Sequence, residues 1–358
     1  MAHVKATFAE IAYFQKINQR TMRDGEFSVS SMIILGGAGG GKSQWCKNEF
    51  SKIVADARGF TADEVAVELT QAAIRDDQEY AGVGVPQKSE TGLVTRFSLP
   101  NLIERLDELR AAGAKCIILV VDEVSAASDA IQKLFAPVAD KFDHRLGDHV
   151  LGNDVVIAMT GNRAKDKAGS RRLLSHLPNR ACVYDLQVDH AAGADWLEAH
   201  EGHPLLVAAI RSLDGFISES APTEDGQMCS MRQVEQTSDW LKTAEEMGEF
   251  TDYITPMLEK GIASYIGLDA AAMLATDLSK HKCYVAAMTI LATKAGALHT
   301  IAVGRGIIWT SKVTTGATDG CYIYINPTWF QALGSDSQRA FLIGHEVLHI
   351  VLSHMWRG

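Results

Sequence analysis

Apolar residues along this chain gather in short runs separated by segments of helical period. Five runs read as strands: SMIIL at 31–35, EVAVEL at 64–69, CIILVV at 116–121, DVVIAMT at 154–160 and ACVYDLQV at 181–188. Around and between them, apolar positions recur at the three- and four-residue spacing of amphipathic helices, over 5–22, 42–56, 99–112, 126–141 and 168–177. Several of the strands are continuously apolar, and strands alternate with helices. That combination predicts an α/β fold, a parallel sheet covered by helices on both faces, because a strand with one wet face would alternate instead. From about 195 to 278 the pattern is helical, interrupted by the acidic, small-residue stretch SESAPTEDGQ at 218–227, which reads as a loop. Beyond 283 come a helix, strand-like TIAVG, GIIWT and CYIYIN, and a final helix. The expected division is 1–195 for a nucleotide-binding core, 196–282 for a helical lid and 283–358 for a small α+β segment.

Chemistry enters where the strands end. GGAGGGKS at 36–43 fits G-x-x-x-x-G-K-[ST] between a strand and a helix pattern, a match expected by chance only ~0.01 times in such a chain. The loop Gly36, Gly37, Ala38, Gly39, Gly40 and Gly41, running into Gln44, would turn backbone N–H groups around the phosphates of ATP. Lys42 would reach the β and γ phosphates, and Ser43 would hold Mg²⁺. The strand CIILVV runs into Asp122 and Glu123 at its C-terminal edge, where an open α/β sheet carries its ligand chemistry. Asp122 would orient Mg²⁺ and Glu123 would polarise the attacking water. Asn162, ending VVIAMTGN, would contact the γ-phosphate or that water. Alone, each has a plainer explanation, a glycine-rich turn, an acidic loop or a turn asparagine; together they deliver polar groups to one edge of one sheet.

The phosphate loop, VVDE, TGN, LPNR and SMRQVEQTSDWL together resemble an AAA+ ATPase of the MoxR type over residues 5–278. The resemblance implies a ring, usually hexameric, with ATP at subunit interfaces. It implies that Arg180, closing LPNR, reaches the neighbouring subunit's nucleotide, and that Arg232 is the lid arginine. Met231 stands where the family has proline, and Gln233-Val234 where it has Ser/Thr-Trp. GIASYIGLDAAAMLATDL at 261–278 resembles the helix pair that ends the lid. Tyr80, in the glycine-rich EYAGVGVP, occupies the position of a pore-facing contact, the alternative being a plain connection.

The chain as given ends in GHEVLHIVLSHMWRG, which contains H-E-x-x-H. Ser335 and Gln338 form a capping box for a helix that is apolar nearly all round at 341–352 and is therefore expected to be buried. His345 and His349, at i and i+4, share a face and could hold one Zn²⁺, with Glu346 as general base; the alternative is a pair of core histidines. His354, nine residues after His345, falls on the opposite side of a continuous helix. The segment resembles a metallopeptidase-like domain associated with von Willebrand A domains, themselves partners of MoxR ATPases. That family continues past the motif, so the expectation is an incomplete domain serving as adaptor or metal sensor.

Composition narrows the partners. A net charge of −10 argues against a large nucleic-acid footprint. The six cysteines are scattered without a C-x-x-C pair, as in a reducing cytosol. No apolar run approaches membrane-spanning length and none forms a leader, so a cytoplasmic location is expected. The expected activity is ATP hydrolysis that remodels a partner protein. The rivals are an ATP-dependent zinc protease and, less favoured, a nucleic-acid-linked ATPase.

Overall fold

The computed structural model describes residues 3–23, 25–90, 92–164, 171–218, 227–249, 255–305, 307–319 and 321–352, with backbone alone for 278–285. The chain forms two compact units, Met1–Trp196 with Ile217–Gln233, and Leu197–Phe216 with Val234–Gly358.

The first unit is built on strands β1 (Val4–Ala6), β2 (Ser31–Gly36) and β3 (Val65–Gln71), a separate hairpin β4 (Gly84–Ser89) and β5 (Gly92–Phe97), and strands β6 (Cys116–Asp122), β7 (Val155–Asn162) and β8 (Cys182–Leu186). Six of these form one sheet in the order β1-β8-β2-β7-β6-β3, with every neighbouring pair parallel. Its helices are α1 (Phe8–Arg20), α2 (Lys42–Arg58), α3 (Asp77–Ala81), α4 (Asn101–Ala111) and α5 (Asp129–Ala139). The two-residue alternation of strand side chains sorts the core. Ile33, Ile117, Leu119 and Ile157 pack with Leu106 of α4 and Phe135 of α5 on one face. Met32, Ile34, Ile118 and Ala158 pack with Ile11 of α1 and Phe50 of α2 on the other. Both faces are dry, which is why these strands read as unbroken apolar runs.

Two local expectations are corrected. Residues 171–180 form no helix but an irregular stretch and turns, while 165–170 lie outside the described residues. Tertiary partners take up backbone donors that a helix would use: Arg171 N–H donates to Ser125 O at 2.8 Å, and Leu174 N–H to Gln132 Oε1 at 3.0 Å. Tyr80 is not a surface contact residue. It is 1% exposed, its hydroxyl lies 2.7 Å from Thr70 Oγ1, and its ring meets Phe135 edge-on at 4.9 Å. The exposed element nearby is the β4–β5 hairpin, with Leu93 and Phe97 at the surface.

The second unit is mainly helical. After α6 (His190–Ala199) come α7 (Pro204–Ser212), α8 (Met231–Glu246), α9 (Pro256–Ile266), α10 (Leu268–Lys294) and α11 (Gly296–Arg305). Much of 218–227 lies outside the described residues. A three-stranded sheet follows, β9 (Ile307–Trp309), β10 (Gly316–Thr318) and β11 (Ile323–Ile325), in the order β9-β11-β10, then α12 (Pro327–Ala332) and α13 (Asp336–Val351). Helix α10 runs unbroken across residue 283. TIAVG, expected as a strand, belongs to α11, where Leu298, Ile301 and Ala302 at helical spacing reach the same core as α10 and α13. Helix α13 is buried on one face only: Ile343 and Val347 are enclosed, while Phe341 is 74% exposed and Leu348 41%. No helix among the described residues is long and apolar enough to cross a membrane.

Candidate functional site

Strands β2, β6 and β7 end side by side. Asn162 at the end of β7 pairs in register with Gly36 at the end of β2, and Asp122 ends β6 opposite Gln71 of β3. Between β2 and α2 the loop turns with Gly39 and Gly41 at positive φ, +71° and +76°, a region that costs other residues ~1–2 kcal/mol. Helix α2 then starts at Lys42 with no side-chain cap. Its first N–H groups, together with the helix dipole, make a phosphate seat. Lys42 is 7% exposed, and its ammonium donates to Gly36 O at 3.2 Å, Gly37 O at 2.7 Å and Asn162 Oδ1 at 3.2 Å. A buried cation whose contacts include two backbone carbonyls and an amide oxygen, beside an uncapped helix start, is a donor set that suits a polyphosphate. The loop therefore fits the phosphates of a nucleotide.

Across the edge, Asp122 Oδ1 accepts from Glu123 N–H at 3.0 Å and from Thr160 Oγ1. The Thr160 hydroxyl thus fixes one carboxylate oxygen, leaving Asp122 Oδ2 as the remaining candidate oxygen for a cation. Glu123 is exposed and sits at φ +57°, one of three non-glycine residues with positive φ among the described residues. Strain of that kind persists where the surroundings impose it and collects at functional sites. The turn after Glu123 is pinned by Ser125, which is 1% exposed. Ser125 Oγ accepts from Asn162 N–H at 2.9 Å, and a Cβ on Gly161 would come within 2.6 Å of that oxygen. Ser125 therefore ties the acidic turn to the asparagine strand, and through Arg171 N–H to the segment leading to Arg180. Ser125→Ala is expected to leave ATP affinity unchanged and to lower kcat by about 10-fold, the worth of one buried hydrogen bond; steady-state kinetics with a nucleotide-binding titration checks it.

Arg180 lies at the end of the LPNR turn, partly exposed. Its Nε donates to Asp140 Oδ2 at 2.8 Å and its Nη1 to His176 O at 3.0 Å. The Asp140 carboxyl is held below the usual range, first by the Phe142 N–H and then by Arg180. Within this chain Arg180 is thus paired at the C-terminus of α5. Arg232 is exposed at the start of α8, and its Cβ lies 3.7 Å from where a Cβ on Gly39 would sit. The same added carbon would run into Ser230 Oγ, so Ser230 and Arg232, which belong to the first unit, pack against the glycine-rich loop. Ser125 belongs to no motif, and Ser230, though it opens SMRQVEQTSDWL, was given no role by sequence reasoning. Ser43 and Gln44 occupy the first turn of α2.

The terminal helix carries a second group. The ligand atoms of His345, Glu346 and His349 all lie within 4.8 Å of one another, the only such set of three found among the described residues. The two imidazoles meet edge-on at 4.5 Å between centroids. Glu346 is 6% exposed and has its Oε1 3.3 Å from His345 Nδ1. Strand β10 lies directly alongside: a Cβ on Gly316 would reach Leu342 at 3.0 Å and Glu346 Oε1 at 3.3 Å. At the other end, Ser335 caps α13 by accepting from Gln338 N–H at 3.3 Å. Arg339 donates to the carbonyls of Phe330 and Gln331 at the end of α12 and of Leu333 just after it, which ties the start of α13 to that turn. Two imidazoles and a carboxylate converging at this spacing fit a divalent metal of the zinc type. His354 lies outside the described residues.

Residues 279–358 match a family model described as "Putative metallopeptidase domain". No curated protein sequence matches the chain. Among solved structures, the Thermotoga maritima RuvB Holliday junction branch migration motor is similar at 10% identity and a TM-score of 0.40, over 74% of this chain and 70% of that one. A point mutant of RuvB matches at 10% identity and a TM-score of 0.38, over 75% of this chain and 66% of its own. The Aeropyrum pernix Orc1 protein in complex with DNA matches at 15% identity and a TM-score of 0.37, over 83% of this chain and 70% of that one. The chain thus spans about two thirds of the length of these structures.

Proposed function

We propose that this protein is an AAA+ ATPase of the MoxR type that works as a homo-oligomeric ring, hydrolysing ATP to remodel a partner protein. The observation that carries the reading is the meeting of Lys42, Asp122, Glu123 and Asn162 at one sheet edge, in front of an uncapped helix start. Lys42 and the loop N–H groups hold the phosphates, and Ser43 and Asp122 hold Mg²⁺, which neutralises charge on the transferred group. Glu123 takes the water's proton, Asn162 orients the γ-phosphate, Arg232 leans over the loop, and Arg180 serves the neighbouring subunit. Residues 1–195 are the nucleotide core, 196–282 the lid and 283–358 the client-facing module; a von Willebrand A-domain protein is the class of client that the resemblance favours. Lys42→Ala tests the whole reading. It is expected to weaken ATP by at least ~10-fold, as loss of a charge-assisted contact does, measured by fluorescent-nucleotide titration. Unchanged affinity would remove the phosphate loop from the account.

In the terminal module, His345 and His349 would ligate a metal, with Glu346 beside them. Our reading is a weak site that cleaves nothing. Purified protein is expected to carry zinc below one per chain and to lose it to a chelator with ATP turnover unchanged, as metal analysis and ATPase assays would show. The geometry of the three residues and the family match favour one second reading, an ATP-fed metalloprotease. One zinc per chain surviving chelator dialysis, with peptide cleavage abolished by Glu346→Gln, would establish that instead.

A further inference from the structure

Phe142 follows helix α5 and is 73% exposed, yet it is held in place. Its backbone N–H donates to Asp140 Oδ1 at 2.9 Å. The guanidinium of Arg23 and the ammonium of Lys141 stand over its ring, 5.2 and 4.9 Å from the centroid. Cations over an aromatic face are attracted by the ring quadrupole, so they fix the ring without burying it. The other oxygen of the same carboxylate, Asp140 Oδ2, accepts from Arg180 Nε at 2.8 Å. Phe142 and Arg180 are therefore tied to the two oxygens of one carboxylate and belong to one patch. An exposed ring among the basic side chains of Arg23, Lys141 and Arg180 has the composition of an interface centre, where aromatic residues and arginine are enriched.

The place of the patch in the sheet decides what covers it. Arg180 stands just before β8 begins, and β8 runs parallel to β2, so the patch lies at the edge where the strands start. The phosphate loop, Asp122, Glu123 and Asn162 lie at the edge where strands end. Each copy of the chain thus carries a basic, aromatic patch at one edge, and two acids beside a phosphate seat at the other. A heterologous, head-to-tail contact joins unlike faces of identical chains and repeats until a ring closes. Charge favours this pairing, because nucleotide phosphates add to Asp122 and Glu123 on the receiving side. A nucleic acid would also suit the basic side chains, but the chain's net charge of −10 opposes it.

We infer that Phe142, with Arg23 and Lys141 over its ring, docks on the nucleotide edge of a second copy of this chain and so delivers Arg180 there. The inference rests on the proposed ring and names the contact that assembles it. The test uses the full chain with Mg²⁺ and the slowly hydrolysed analogue ATPγS. In sedimentation velocity, Phe142→Ala is expected to need ~10-fold or more protein to assemble, as loss of an interface anchor does, while Phe142→Tyr assembles like the unmodified protein. So exposed a side chain can be truncated without unfolding the chain, and dilute Phe142→Ala is expected to bind fluorescent nucleotide with unchanged affinity. With the photo-cross-linker p-benzoylphenylalanine at position 142, mass spectrometry is expected to find adducts within 36–44 or 122–126 of a second copy. Assembly of Phe142→Ala at the unmodified concentration, or adducts confined to other segments, would overturn the inference and leave the ring standing. Loss of oligonucleotide binding in Phe142→Ala with assembly unchanged would overturn it in favour of a nucleic-acid patch. An unmodified protein that stays monomeric with ATPγS at every concentration would remove the ring itself.

Discussion

Glu123→Gln is expected to hold ATP as tightly as the unmodified protein and to hydrolyse it ~10²–10⁴-fold more slowly, the contribution of a positioned general base. The amide keeps the size and polarity of the carboxylate but cannot take a proton. The strained backbone at φ +57° and the Asp122 contact to the Glu123 N–H do not depend on the side chain, so the turn should survive the change. The proposed phosphate contacts, from Lys42 and the loop, follow another strand, which is why binding and turnover should separate. A trapped, ATP-loaded ring is the expected state, visible as a larger species in size-exclusion chromatography with ATP. Turnover at the unmodified rate would show that another group activates the water.

Arg180→Ala is expected to bind ATP nearly normally and to lose ~10³–10⁵ in kcat, the usual worth of an arginine finger acting on the transferred phosphoryl group. Mixing it with Lys42→Ala should restore part of the activity, because some interfaces then pair an intact loop with an intact arginine. The ion pair to Asp140, with side chains 37% and 24% exposed, is a surface interaction worth ~0–1 kcal/mol. It can therefore hold Arg180 in an isolated subunit without preventing its transfer to a neighbour's nucleotide. Full-rate hydrolysis by a demonstrably monomeric preparation would end the shared-site reading.

The parts of this molecule legible in its sequence are those where one constraint dominates. Strands buried on both faces, such as Cys116–Asp122, must be apolar throughout, and a tight turn such as the one with Gly39 and Gly41 at positive φ must be rich in glycine; both leave patterns that survive without a structure. Where two forces compete, sequence reading failed. Tyr80 lies in a glycine-rich stretch that looks like a surface loop, yet a hydroxyl partner in Thr70 and an aromatic partner in Phe135 let it enter the core. TIAVG has strand composition but sits in a helix, because the packing of Leu298, Ile301 and Ala302 overrode β-propensity. Helix α13 looked buried because apolar composition alone does not say which face has a partner. Ser125 was invisible, and Ser230, at the head of SMRQVEQTSDWL, was given no role, for a simpler reason: a serine that positions a neighbour differs in no local pattern from one that points to water.

Helix α10 has a consequence for how this chain could have been assembled in evolution. Its 27 residues make an unbroken rod of about 40 Å at ~1.5 Å per residue. Ala270, Ala271 and Leu274 near its beginning are enclosed, and Ala287, Met288 and Leu291 near its end belong to the core that carries the histidine helix. Inserting or deleting one residue between these two stretches would turn everything downstream by ~100° about the rod axis and shift it by ~1.5 Å. A flexible tether forgives such slips, whereas a helix counts them. The part that carries the two histidines is therefore indexed to the helices before it, like a gear keyed to its shaft, and only length changes that restore the phase of the helix would preserve both cores.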